Sequence, residues 1–290
     1  MLMRVVSLLP SATEIVASLG RGDWLVGRSS ECDHPSWVRR LPVVSRARLE
    51  PGLGLDEIDR RVSEQIRGGE PLYELDVGLL EELRPDLVVT QDLCPVCAVS
   101  SERVLGALES CGFGSSRILA LDPHTLEDVL DDIARVGEVL DCRDRAASLV
   151  ARLRARIDAV MESHRPVRRP RVAVLEWVDP PYSAGHWIPE MVHLAGGEEV
   201  TGAVGEPSRA ITWESLADAR PDIIVVAPCG FRLADAEEQA ARVLQRAELA
   251  DTAAVRSGRV HAVDADAEFA RPGPRLVDGV ETLARIVRGS

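Results

Sequence analysis

Short runs of β-branched and aliphatic residues alternate along the chain with stretches whose apolar residues recur at spacings of three and four, the signature of α/β units on mostly parallel sheets. Residues 4–8 predict the first strand. Ser11 and Glu14 then read as a capping box, Ile15, Val16 and Leu19 supply an apolar helix face, and Gly20 ends it. Further strands are predicted at 24–28, 86–90, 117–121, 171–177, 223–227 and 259–263. Helices are predicted at 56–67, 77–83, 99–109, 188–195, 213–219, 234–246 and 275–287.

From Thr125 to His164 there is no proline, and Leu126, Val129, Leu130, Ile133, Val136, Leu140, Leu149, Leu153, Ile157 and Val160 keep helical spacing. One continuous helix of that length spans roughly 60 Å at 1.5 Å per residue, further than one lobe requires. The pattern therefore predicts two Rossmann-like α/β lobes, 1–124 and 167–290, joined by one long rigid helix over 125–166. An internal echo supports lobes of similar build. Glu82-Leu-Arg-Pro-Asp86-Leu-Val-Val-Thr90 matches Asp218-Ala-Arg-Pro-Asp222-Ile-Ile-Val-Val226, each a helix end followed by a strand, and each reaches a cysteine, Cys94 or Cys229.

Composition removes whole classes. With 290 residues, 46% hydrophobic and 28% charged, the chain suits globular lobes and no disordered, collagen-like or membrane-inserted protein. A formal charge of −13 disfavours nucleic acid as a partner. All 34 basic residues are arginine, which excludes Schiff-base and P-loop lysine chemistry. The apolar run after Arg4 is broken by Pro10, too early for a secretory leader, so a cytoplasmic location is expected. Six cysteines are too sparse for a disulfide scaffold.

In open parallel sheets ligands bind beyond the carboxyl ends of the strands, which directs attention to the residues just after them. These are Pro10 and Ser11; Cys32, Asp33 and His34; Gln91, Asp92, Cys94 and Cys97; Asp179, Tyr182, His186 and Trp187, after the strand that ends at Trp177; Cys229, Gly230 and Phe231; and Asp264 to Phe269. Only ten residues are aromatic, yet Trp37, Trp177 and Trp187 lie in or beside these loops, as a broad planar ligand requires. Cys94-Pro-Val-Cys97 reads three ways: a dithiol redox pair, a soft-metal site completed by Cys32, His34, Cys229 or His186, or buried thiols. Zinc or iron is the metal in the second reading, and an intracellular metal-site or thiol enzyme using Cys94 and Cys97 is the alternative to a binding protein. No G-x-S-x-G, H-E-x-x-H, Walker A or G-x-G-x-x-G motif is present.

Val5-Val-Ser-Leu-Leu-Pro10-Ser11-Ala-Thr-Glu14-Ile, Gly27-Arg-Ser-Ser-Glu-Cys32-Asp33-His-Pro35 and the Arg-Pro-Asp-Leu-Val-Val strand resemble the cobalamin-binding members of the class III substrate-binding proteins. The resemblance covers nearly the whole chain. It implies two α/β lobes bridged by a helix, and non-catalytic binding of cobalamin or a related corrinoid. An ABC importer, or a corrinoid-handling enzyme, is the implied partner. It places Ser11, Cys32, Asp33 and Pro35 at motif positions of the ligand site, with Trp177 and Trp187 as pocket aromatics.

Overall fold

A parallel sheet is buried under cover on both faces, and the computed structural model contains two such parallel-dominated sheets. It describes residues 2–49, 53–68, 70–92, 99–110, 112, 116–163 and 167–289. Cys94, Cys97 and Cys111 lie outside the described residues. By internal packing the chain divides into two compact units, Met1–Pro123 with Leu130–Val150, and His124–Val129 with Ala151–Ser290.

The strands of the first unit are β1 (Val5–Ser7), β2 (Leu25–Ser29), β3 (Val43–Ala47), β4 (Tyr73–Leu75), β5 (Leu87–Gln91) and β6 (Arg117–Leu121), in the sheet order β4-β3-β2-β1-β5-β6. All pairings are parallel except β3 with β4. Its helices are α1 (Pro10–Ser18), α2 (Leu55–Gly68), α3 (Val77–Leu83) and α4 (Ser101–Ser110). Val6, Leu8, Val44, Leu80, Val88, Val104 and Leu108 form one buried cluster between sheet and helices, each side chain worth roughly 1.5–3 kcal/mol.

The chain from 126 to 163 is not the one long helix that its periodicity predicts. It forms α5 (Leu126–Val139) and α6 (Arg143–Ser163), and the division between the two units falls within both. Asp141 adopts the left-handed conformation, φ 51°. Its amide bonds the Glu138 carbonyl at 3.2 Å and the Cys142 amide bonds the Gly137 carbonyl at 2.8 Å. This is a Schellman ending with aspartate where glycine is usual. The Arg21 guanidinium makes the break affordable by taking the carbonyls of Leu140 at 3.3 Å and Asp141 at 3.0 Å.

The second unit carries β7 (Arg171–Val178), β8 (Pro181–Ser183), β9 (Glu198–Glu199), β10 (Ile223–Val226) and β11 (Val260–Ala262). The order is β11-β10-β7-β8, with β9 also paired to β7, and only β8 is antiparallel. Helices α7 (Ile188–Leu194), α8 (Trp213–Asp218), α9 (Leu233–Leu244), α10 (Ala253–Arg256), α11 (Ala265–Glu268) and α12 (Leu276–Arg288) surround it. Strand β3 and the short strands β4, β8 and β9 lie outside the predicted set; the last three hold only two or three residues each, too few for alternation to register.

The repeated Arg-Pro-Asp has the same geometry in both units. Asp86 accepts the Arg4 amide at 2.8 Å, and Asp222 accepts the Arg171 amide at 2.9 Å. Arg4 Nε donates to the Leu83 carbonyl at 2.7 Å, and Arg171 Nη2 to the Ala219 carbonyl at 2.8 Å. Arg84 and Arg220 are both left-handed, at φ 46°. Among the described residues no helix is long and apolar enough to cross a membrane.

A Cβ on Gly137 would overlap the Ala146 methyl where α5 turns into α6. Gly137→Ala is therefore expected to destabilise the chain by about 1–3 kcal/mol despite alanine's better helix propensity. Urea unfolding checks this, and an unchanged or raised midpoint would contradict the tight crossing.

Candidate functional site

In the first unit the residues after β1, β2 and β5 form a buried polar floor. Pro10 takes the first position of α1, so the helix starts earlier than a serine cap allows. Leu9 is the cap residue, and the predicted Ser11–Glu14 capping box is not formed: both side chains are buried inside the helix. Ser11 Oγ finds no hydrogen-bond partner among the described residues. Thr13 Oγ1 lies 2.8 Å from Ser7 Oγ and 3.1 Å from Cys32 Sγ, and Cys32 is 0% exposed.

The Arg28 guanidinium braces the following loop, donating to the carbonyls of Ser29 at 2.8 Å, Ser30 at 3.1 Å and Arg39 at 3.1 Å. On this loop Asp33 pairs with Arg39 at 3.2 Å, while His34 and Trp37 are exposed. Gln91 is buried. Asp92 is exposed and caps α4, accepting the Ser101 amide at 2.8 Å and hydroxyl at 2.7 Å.

Cys32 is engaged by Thr13 inside the fold, and Cys94 and Cys97 fall outside the described residues. Among the described residues no group of three or more His, Cys, Asp or Glu side chains is placed to hold a metal ion.

The second unit presents aromatic rings at the carboxyl end of β7 and past β10. Trp177 and Phe231 meet edge to face, centroids 5.6 Å apart at 80°, and both are half-buried. Trp177 Nε1 donates to the Asp179 carbonyl at 3.2 Å, which turns the indole at the hairpin into β8. Cys229 is exposed beside them, its amide bonded to the Glu176 carbonyl at 3.0 Å. Past β11, Arg271 is nearly buried and closes a two-pronged ion pair on Asp266, with Nε at 3.0 Å and Nη2 at 2.8 Å.

Trp187 and Phe269 sit deeper than a ligand contact requires. Trp187 is 6% exposed and Phe269 1% exposed, and the indole Nε1 donates to the Phe269 carbonyl at 2.8 Å. Their bond ties the start of α7 to the end of α11. The accessible ring of this region belongs to His186, held at φ 51°. Its amide bonds the Glu206 carbonyl at 2.6 Å, and its carbonyl accepts the Gly205 amide at 2.9 Å.

The loop that grips it is pinned from below. Glu199 Oε1 accepts the Thr201 hydroxyl at 2.6 Å and amide at 2.8 Å, and Oε2 the Val174 amide at 3.2 Å. Burial pushes the Glu199 carboxyl up to about 7, against these hydrogen bonds.

One residue of this region escaped prediction. His124, exposed, stands with its ring centroid 5.9 Å from that of His186, which in turn lies 5.6 Å from Trp187. Asp128 fixes it, accepting the amides of His124 at 2.9 Å and Thr125 at 2.8 Å, while Thr125 Oγ1 accepts the Asp128 amide at 3.2 Å. The Thr125-to-Asp128 spacing was a legible capping box; nothing local tied His124 to His186.

Over residues 5–267 the sequence matches a family model described as periplasmic binding protein. This chain belongs to the periplasmic binding protein family. Among its members, the Vitamin B12-binding protein of Photorhabdus laumondii is 25% identical over 77% of this chain and 70% of its own length. The uncharacterized ABC transporter substrate-binding lipoprotein YvrC of Bacillus subtilis is 24% identical over 98% and 79%. The solved periplasmic haem-binding protein RhuT of Roseiflexus, in its apo form, superposes with a TM-score of 0.73 over 100% of this chain and 99% of that one, at 24% identity.

Burial alone would raise the Asp128 carboxyl, but the amides of His124 and Thr125 and the Thr125 hydroxyl outweigh it and hold it below its ordinary 3.8. Its stabilising contribution is complete above the unfolded value and lost as pH falls through the lower folded one. Asp128→Ala is expected to cost about 1 kcal/mol at neutral pH and to flatten the acid side of a Tm-against-pH curve. A variant whose acid limb matches the wild type would remove the cap from the account.

Proposed function

We propose that this chain is a non-catalytic binding protein for a corrinoid of the vitamin B12 type, and that it serves an ABC importer. The observation that carries the reading is the Trp177–Phe231 pair, half-buried, with Trp177 at the carboxyl end of β7 and Phe231 in the loop after β10. Ligands of open parallel sheets bind at that end, and a corrin ring offers a flat face wide enough to cover both rings. The relative named a Vitamin B12-binding protein supports the ligand class, and the relative named an ABC transporter substrate-binding lipoprotein supports the partner. An iron porphyrin is the second reading, favoured by the likeness to the haem-binding RhuT fold and by the adjacent imidazoles of His124 and His186 in the same unit.

Titrating the apo protein with cyanocobalamin, and separately with haem, tests the reading. At a ligand concentration one hundred times Kd the folded state gains about 2.7 kcal/mol, a rise of several degrees in Tm. Trp177→Ala is expected to weaken cyanocobalamin at least tenfold, about 2 kcal/mol for an aromatic anchor. Stabilisation by haem with none by any corrinoid would move the assignment to an iron porphyrin.

A further inference from the structure

His124 and His186 bring two imidazoles together from separate chain segments, and the fold takes trouble to hold them. His186 occupies the left-handed region at φ 51°, a conformation strained for a non-glycine residue. It is kept there by backbone bonds on both sides, to Glu206 and Gly205. Gly185, just before it, packs so closely on the backbone of Pro207 and Ser208 that a side chain would not fit. The His186 ring is thereby set between Trp187 at 5.6 Å and the exposed His124 at 5.9 Å, the latter inclined at 47°.

Two imidazoles are too few to hold a bare metal ion, which takes three or four protein donors, and no third donor joins them among the described residues. A metal already held in the plane of a macrocycle is different, because it needs a single axial donor. Imidazole nitrogen suits both cobalt and iron in that position.

We infer that His124 supplies an axial imidazole to the central metal of the bound macrocycle, with His186 positioning the His124 ring. The inference rests on the ligand being a metallated macrocycle. The step is ligand exchange: the neutral imidazole nitrogen donates its lone pair to the trivalent metal, a coordinated water leaves with its own pair, and the metal's oxidation state does not change.

The test compares aquocobalamin, whose cobalt carries exchangeable water, cyanocobalamin, whose cyanide does not exchange, and ferric haem. On binding the wild-type protein, the visible bands of aquocobalamin should shift as nitrogen replaces water, while cyanocobalamin binds without a shift. His124→Ala should abolish the shift and erase any preference for aquocobalamin over cyanocobalamin. His124→Met, a thioether donor at the same exposed place, should give bands of a different position. His186→Ala should keep the form of the shift but weaken it about tenfold in affinity, as loss of a supporting group does.

A His124-dependent change seen with ferric haem alone assigns the donor to an iron porphyrin. If cyanocobalamin binds while neither aquocobalamin nor haem changes spectrum, or if the change survives in His124→Ala, the inference is overturned and the binding reading stands. Failure of all three probes to bind overturns both.

Discussion

Each sheet depends on how its first central strand is started. The opening amide of a strand at the sheet margin has no ladder partner, and leaving it unpaired inside the fold is costly. Asp86 and Asp222 solve this in the same way, each carboxylate accepting the first amide of the adjoining strand, Arg4 or Arg171. The arginine that provides the amide turns its guanidinium onto the last carbonyls of α3 or α8. Strand start and helix end are thus locked together, and the left-handed Arg84 and Arg220 make the sharp turn between them. With the amino ends fixed, the carboxyl ends of β1, β5, β7 and β10 open at set places, where the candidate residues stand.

The absence of lysine has a structural counterpart. A guanidinium can bond two carbonyls at once from a planar fork, which a point-charge ammonium does less well. Arg145 caps α1 through Leu19 and Gly20, Arg21 caps α5 through Leu140 and Asp141, and Arg259 caps α12 through Ile286 and Val287. Because α1 and α5 are capped by side chains borne on each other's neighbourhoods, the first unit is tied together at helix ends as well as through its apolar core.

The polar floor of the first unit and the aromatic surface of the second are built on different physics. Hydroxyls of Ser7 and Thr13 around the Cys32 thiol satisfy one another inside the fold and stiffen the loop after β2. Trp177, Phe231 and His124 instead keep part of their rings at the surface. A buried thiol offers a ligand nothing, whereas a half-exposed ring loses water on contact and rewards it.

Periodicity and turn chemistry determined most of the elements. Strands β1, β2, β5, β6, β7, β10 and β11 and helices α2, α3, α4, α7, α8, α9 and α12 were legible because their apolar spacing is sustained and their neighbours punctuate it. The Arg-Pro-Asp echo was legible as well, and it marks the same lock in both sheets. Tertiary structure alone decided the rest. The break at Asp141 carries no glycine or proline, and depends on arginine from α1's end of the chain. Pro10 moved the start of α1 and drew Ser11 inside. Trp187 went to the interior because Phe269 offered its indole a carbonyl, and His124 met His186 only because α5 begins beside α7, where Glu190 accepts the Leu126 amide at 2.8 Å. Local preference acts over one or two turns of chain, whereas these choices were made by partners that the linear order keeps far apart.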